Sequence, residues 1–77
     1  MEESMIRYHI SKIQSNPYNT AALTINIDNM LKDLNVSAAE QTKKCLLGKL
    51  LHRYGNGSYQ EKRVIINSYA SYLKGGN

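Results

Sequence analysis

Strong chain breakers are rare in this sequence. Across 77 residues they fall in three places, Asn16-Pro17, Gly55-Asn56-Gly57 and Gly75-Gly76, and the uninterrupted segments between them read mostly as helices. Two of those segments carry their own start signals. Ser37-Ala38-Ala39-Glu40 and Ser58-Tyr59-Gln60-Glu61 each fit a capping box, in which serine caps the third helical N–H and glutamate reaches back to the serine N–H.

Apolar spacing places the elements. A helix is expected over about 38–54, with Ala39, Leu46, Leu47, Leu50, Leu51 and Tyr54 on one face at helical intervals. Another is expected over about 59–73, with Ile65, Ile66, Tyr69, Tyr72 and Leu73 as its buried stripe. Gly55 is expected to end the first in a left-handed conformation and Ser58 to cap the second, which makes a helical hairpin. In the first half, Met5, Ile6, Ile10 and Ile13 support a helix over about 3–15 that Pro17 prevents from continuing. Leu23, Ile27, Met30, Leu31 and Leu34 support one over about 20–34, capped by Asn19 or Thr20 and stopped near Asn35. Leu23 to Asp28 also alternates like a strand; helix is preferred because a lone strand has nothing to pair with, although a homodimer could supply a partner strand. The expected fold is an all-α bundle of three or four short helices forming a single domain over 1–77, with a disordered tail over 74–77.

A chain of this size lies near the lower limit of what one core can stabilise. Cys45 is the only cysteine, and two histidines, His9 and His52, are too few for a Cys/His metal site. Neither disulfide, metal nor cofactor is therefore expected to support the fold, and dimerisation is the remaining common route. The lone cysteine and the acidic start Met1-Glu2-Glu3 suit a reducing, cytoplasmic setting with no secretory signal. Apolar runs such as Val64-Ile65-Ile66 fall far short of the roughly 20 residues a membrane span needs. Asn35-Val36-Ser37 and Asn56-Gly57-Ser58 match the glycosylation pattern, but their serines are better read as helix caps.

Charge is divided unevenly. Residues 1–40 hold three Lys/Arg against five Asp/Glu, and residues 41–77 hold seven against one. The second half, about +6, favours an anionic partner. The candidate partner-binding residues are Lys43, Lys44, Lys49, Arg53, Tyr59, Lys62 and Arg63, with His52 among them, lying on either side of the hairpin turn. Tyr59 is the expected exposed aromatic contact, because a tyrosine ring packs while its hydroxyl stays wet. Tyr54, Tyr69 and Tyr72 are expected in the core. A solvated polar face is the plainer explanation of the same charges, and a helix-turn-helix reader fits poorly because apolar spacing around Gly55 does not match that motif. Cys45 has no activating base at a recognisable spacing, His9 and His52 read as surface residues, and neither paired carboxylates nor a phosphate-cradling loop occurs, so catalysis is not expected.

Two resemblances bear on these segments. Tyr54-Gly55-Asn56-Gly57 is similar to a tetrapeptide of pediocin-like bacteriocins, where it precedes a disulfide-bonded strand; here it follows a helix without a cysteine pair. Leu47-Gly48, the glycine turn and the Lys62 to Leu73 stretch resemble the small biofilm-regulating connector proteins of enteric bacteria over about a third of the chain. That resemblance implies action by binding other regulators. The expected function is a non-enzymatic regulatory binding module, an inhibitor or adaptor docking an acidic protein surface through residues 43–63. Nucleic-acid binding by the same surface, or a structural subunit with no external ligand, are the alternatives.

Overall fold

A computed structural model describes residues 2–75 and contains four helices: α1 (Glu2–Ser15), α2 (Thr20–Asp33), α3 (Glu40–Tyr54) and α4 (Tyr59–Leu73). The strand reading of 23–28 gives way to α2. Each helix packs on two others, so that the ring runs α1–α2–α4–α3. The radius of gyration is 11.3 Å, close to the roughly 11.5 Å of a compact chain of this length.

Their shared core is built from the predicted stripes. Ile6, Ile10 and Ile13 of α1 meet Leu23, Ile27, Met30 and Leu31 of α2, Leu47, Leu50 and Leu51 of α3, and Ile65 and Tyr69 of α4. Buried polar atoms are satisfied within it. The Tyr69 hydroxyl donates to Asp28 Oδ1 at 2.9 Å, and Thr24 Oγ1 donates to the backbone carbonyls of Thr20 and Ala21.

Helix ends follow local chemistry. Pro17 separates α1 from α2, and Asn19 caps α2 by accepting the Ala22 N–H at 3.2 Å. At the other end, Asn35 takes φ 58°, its N–H donates to Lys32 O, and the Val36 N–H reaches back to Leu31 O. This pair of bonds is a Schellman motif. Ser58 forms the expected capping box with Glu61; Lys74 and Gly75 complete the last turn of α4, and the rest of the tail expected from 74 lies outside the described residues.

Four local expectations are corrected. Ser37 does not cap α3: the N-cap is Ala39, which makes no side-chain bond. Glu40 is then the first helical residue, too early in the turn for a box with Ser37. Gly55 is extended, at φ −84°, and the left-handed residue is Gly57 at φ 92°. Gly55 is required instead by close approach, since a Cβ there would lie 2.5 Å from Leu51 O. His9 is buried, with Nε2 2.8 Å from Asp33 Oδ2, because it shares the inward face of α1 and finds a polar partner at the end of α2. Tyr72 is 45% exposed and Ala39 is exposed; Tyr72 stacks on the outer side of Tyr69, ring centroids 6.0 Å apart.

Candidate functional site

α3 and α4 run antiparallel across the Gly55–Gly57 turn, and the seam between them contains two concavities. Near the turn, a groove of about 310 Å³ is lined by Gly48, Leu51 and His52 from α3 and by Tyr59, Lys62, Arg63, Ile66 and Asn67 from α4. At the far end, a smaller one of about 170 Å³ is lined by Glu40, Gln41 and Lys44 from α3 and by Ala70, Leu73 and Lys74 from α4. Helical period explains why these residues share one seam. Lys44, Gly48 and His52 recur every four residues, while Tyr59, Arg63, Ile66, Ala70 and Lys74 follow intervals of three and four.

The groove has an apolar floor and a cationic rim. Leu51 is fully buried and Ile66 partly so, and a Cβ on Gly48 would stand 3.7 Å from the Ile66 Cδ1. A Cβ there would rest in van der Waals contact with Ile66, so the glycine keeps the groove floor low and a larger side chain would extend over it. On the rim, Tyr59 is 68% exposed. Arg63 folds back on it, donating from Nη1 to the phenol oxygen at 2.9 Å with its guanidinium 5.7 Å from the ring centroid. This holds a cation and an aromatic face in fixed register at the mouth.

The predicted residues do not form one continuous patch. Tyr59, Lys62 and Arg63 come together at the groove, and Lys44 stands at the far end of the same seam. Lys43 faces the other way, into a shallow depression of about 680 Å³ shared with Asp28, Lys32 and Tyr72. The charge of Asp28 there raises the Tyr72 phenol above its ordinary pKa. Arg53 lies 5.5 Å from the Tyr54 ring centroid, and Arg7 from α1 lies 5.1 Å from the same centroid. Lys49 is exposed beside the groove without lining it. Sequence reasoning passed over Gly48 and Lys74 as site residues and gave Ile66 only a core role. A glycine inside a helix costs about 1 kcal/mol relative to alanine, and that cost was the available signal for Gly48.

Charge pairing within the molecule is sparse. Among the described residues, Arg7 is the only lysine or arginine with a carboxylate within 4.0 Å, in its pair with Glu3. The acids, by contrast, are mostly engaged: Glu3 by Arg7, Asp33 by His9, Asp28 by Tyr69, and Glu61 by Ser58. Glu2 and Glu40 occupy the first turns of α1 and α3, where negative charge complements the helix dipole.

Comparison with protein-family models, curated proteins and solved structures returns no match.

Proposed function

We propose that this chain is a non-enzymatic regulatory module, acting in the cytoplasm, that docks an acidic surface of a protein partner through the α3–α4 hairpin. The observation that carries the reading is that the hairpin cations have no internal carboxylate partners among the described residues. A protein is favoured over nucleic acid because the cations are dispersed. Lys43, Lys44, Arg53 and Lys62 belong to different surroundings, and the concavity holding Tyr59, Lys62 and Arg63 has an apolar floor. Phosphate backbone offers little to such a floor, whereas a protein side chain fills it.

Fluorescence anisotropy with poly-L-glutamate and with mixed-sequence single- and double-stranded oligonucleotides, at about 50 and about 200 mM salt, tests the partner class. Binding of polyglutamate that is lost on combining Lys62→Glu with Arg63→Glu, with oligonucleotide binding weak at the lower salt, supports the proposal. Tight oligonucleotide binding that falls steeply with salt replaces it with the nucleic-acid reading.

A further inference from the structure

The seam between α3 and α4 has a periodic chemistry. At one end Lys62 and Arg63 rim the larger concavity; at the other Lys44 and Lys74 rim the smaller. Between them lie Gly48 and Ile66, the low apolar part of the seam. Lys44 and His52 are eight residues apart on α3, about 12 Å along a helix at 1.5 Å per residue. Arg63 and Lys74 are eleven residues apart on α4, about 16 Å on the same rise, so a partner helix laid along the seam passes one cationic end, an apolar gap and a second cationic end in two to three turns.

We infer that this seam is a helix-binding groove: it takes one amphipathic helix of a protein partner, with an apolar side chain seated over Gly48 and Ile66 and carboxylates directed to Lys62 and Arg63 at one end and to Lys44 and Lys74 at the other. The inference rests on the reading that the partner is an acidic protein, and it specifies the partner's pattern. Charge complementarity selects the occupant, since those four cations lack internal carboxylate partners among the described residues. The larger concavity, about 310 Å³, has room for an anchoring side chain together with part of the helix that carries it. Glu40 lies at the far end and repels carboxylates placed beyond Lys44, which limits the length of the acidic pattern. Helix-in-groove recognition reads anchors of the bound helix at intervals of three, four and seven residues, so one turn either side of the central apolar anchor brings the partner's carboxylates towards the two cationic ends.

The test uses synthetic alanine-rich helical peptides with a glutamate pair at each end, eight residues apart, and one central leucine. Binding to the full chain is followed by amide chemical shifts and by anisotropy. The parent peptide is expected to shift the Gly48 and Ile66 amides. Replacing its leucine by alanine should weaken binding about 10- to 100-fold, the loss expected for one buried aliphatic side chain. Gly48→Leu, which fills the floor, should weaken the parent peptide to the same degree. Lys44→Glu with Lys74→Glu, and Lys62→Glu with Arg63→Glu, should each weaken it independently. Equal affinity for the leucine and alanine peptides overturns the groove, and this comparison needs no substitution in the protein, so a destabilised Gly48→Leu chain does not obscure it. Peptides that bind through charge alone, unaffected by the leucine, remove the groove and leave the acidic-partner reading standing. No shift with the parent peptide at about 1 mM, together with salt-sensitive oligonucleotide binding, removes both.

Discussion

Gln14 grips both backbone groups of Asn56: its Nε2 donates to the Asn56 carbonyl at 2.6 Å, and its Oε1 accepts the Asn56 N–H at 2.9 Å. A residue near the end of α1 thereby holds the turn between α3 and α4, forty-two positions later. This contact fixes where the hairpin sits on the first half of the chain, and with it the mouth of the α3–α4 groove.

Gln14→Ala removes both bonds. The Asn56 backbone is exposed and water replaces part of what is lost, so the expected destabilisation is about 1 kcal/mol. Urea unfolding with an unchanged slope checks the magnitude. Amide exchange checks the mechanism: Asn56 should exchange faster in the variant while amides in the middle of α2 should not.

Capping predicts opposite outcomes for two serines that look alike in sequence. Ser58→Ala should cost about 1 kcal/mol, because Ser58 Oγ accepts the Glu61 N–H and Glu61 Oε1 accepts the Ser58 N–H. Ser37→Ala should be close to neutral. Ala39→Asp should stabilise α3 by about 1 kcal/mol by supplying the missing cap acceptor. The Ser58 box also has a pH signature. Its backbone hydrogen bond lowers the Glu61 pKa below 4.5, so its stabilisation is present above that value and is lost as pH falls through the lower folded-state value. Thermal unfolding of the wild type against Glu61→Gln, whose side chain carries no charge to lose, should show the two curves converging as pH falls through the acidic range.

Tyr69 gives the alkaline counterpart. Burial, reinforced by the hydrogen bond to Asp28, holds its phenol well above the ordinary value of 10.0. As pH rises past 10.0 the unfolded chain releases this proton while the folded chain keeps it, so stability falls until the folded-state value is reached. The wild type should lose more stability than Tyr69→Phe between about pH 9 and about pH 11. At neutral pH, Tyr69→Phe should cost about 1 to 2 kcal/mol for the lost bond to a carboxylate. Ultraviolet titration of the folded chain should show a late-ionising tyrosine that this variant lacks.

How much of this was legible in the sequence depends on how far apart the deciding residues lie. The bounds of α4 and its cap follow from Ser58 to Glu61, four consecutive residues, and were readable. The start of α3 was not, because residues 34–36 already close α2 through the Asn35 turn and the Val36 bond to Leu31, which leaves Ser37 in the connection. The burial of His9 depends on Asp33, twenty-four positions away, and no local pattern announces it. The charge asymmetry was plain, but its partition was not. Lys43 and Lys44 are neighbours in sequence, yet successive helical residues differ by about 100° in direction, and so they line different depressions on either side of Glu40.

The same partition separates steering charges from docking charges. Lys49 is exposed beside the groove, whereas Lys62 is partly buried in its wall and Arg63 is fixed on Tyr59. A charge outside the contact acts mainly on the encounter, and a charge within it acts on dissociation. With the glutamate–leucine peptide, Lys49→Glu should slow association several-fold at low salt and leave dissociation unchanged. That slowing should fade towards physiological ionic strength, where the screening length is about 8 Å. Combining Lys62→Glu with Arg63→Glu should accelerate dissociation at every salt concentration. Arg53→Glu belongs to neither group: it exchanges a cation–π contact on Tyr54 for a carboxylate, and should lower fold stability by about 0.5 to 1 kcal/mol. Stopped-flow kinetics across salt, with urea unfolding of each variant, distinguish the three. Equal effects of Lys49→Glu and the Lys62/Arg63 pair on both rates would mean that the hairpin acts as a diffuse positive surface, without a seated contact.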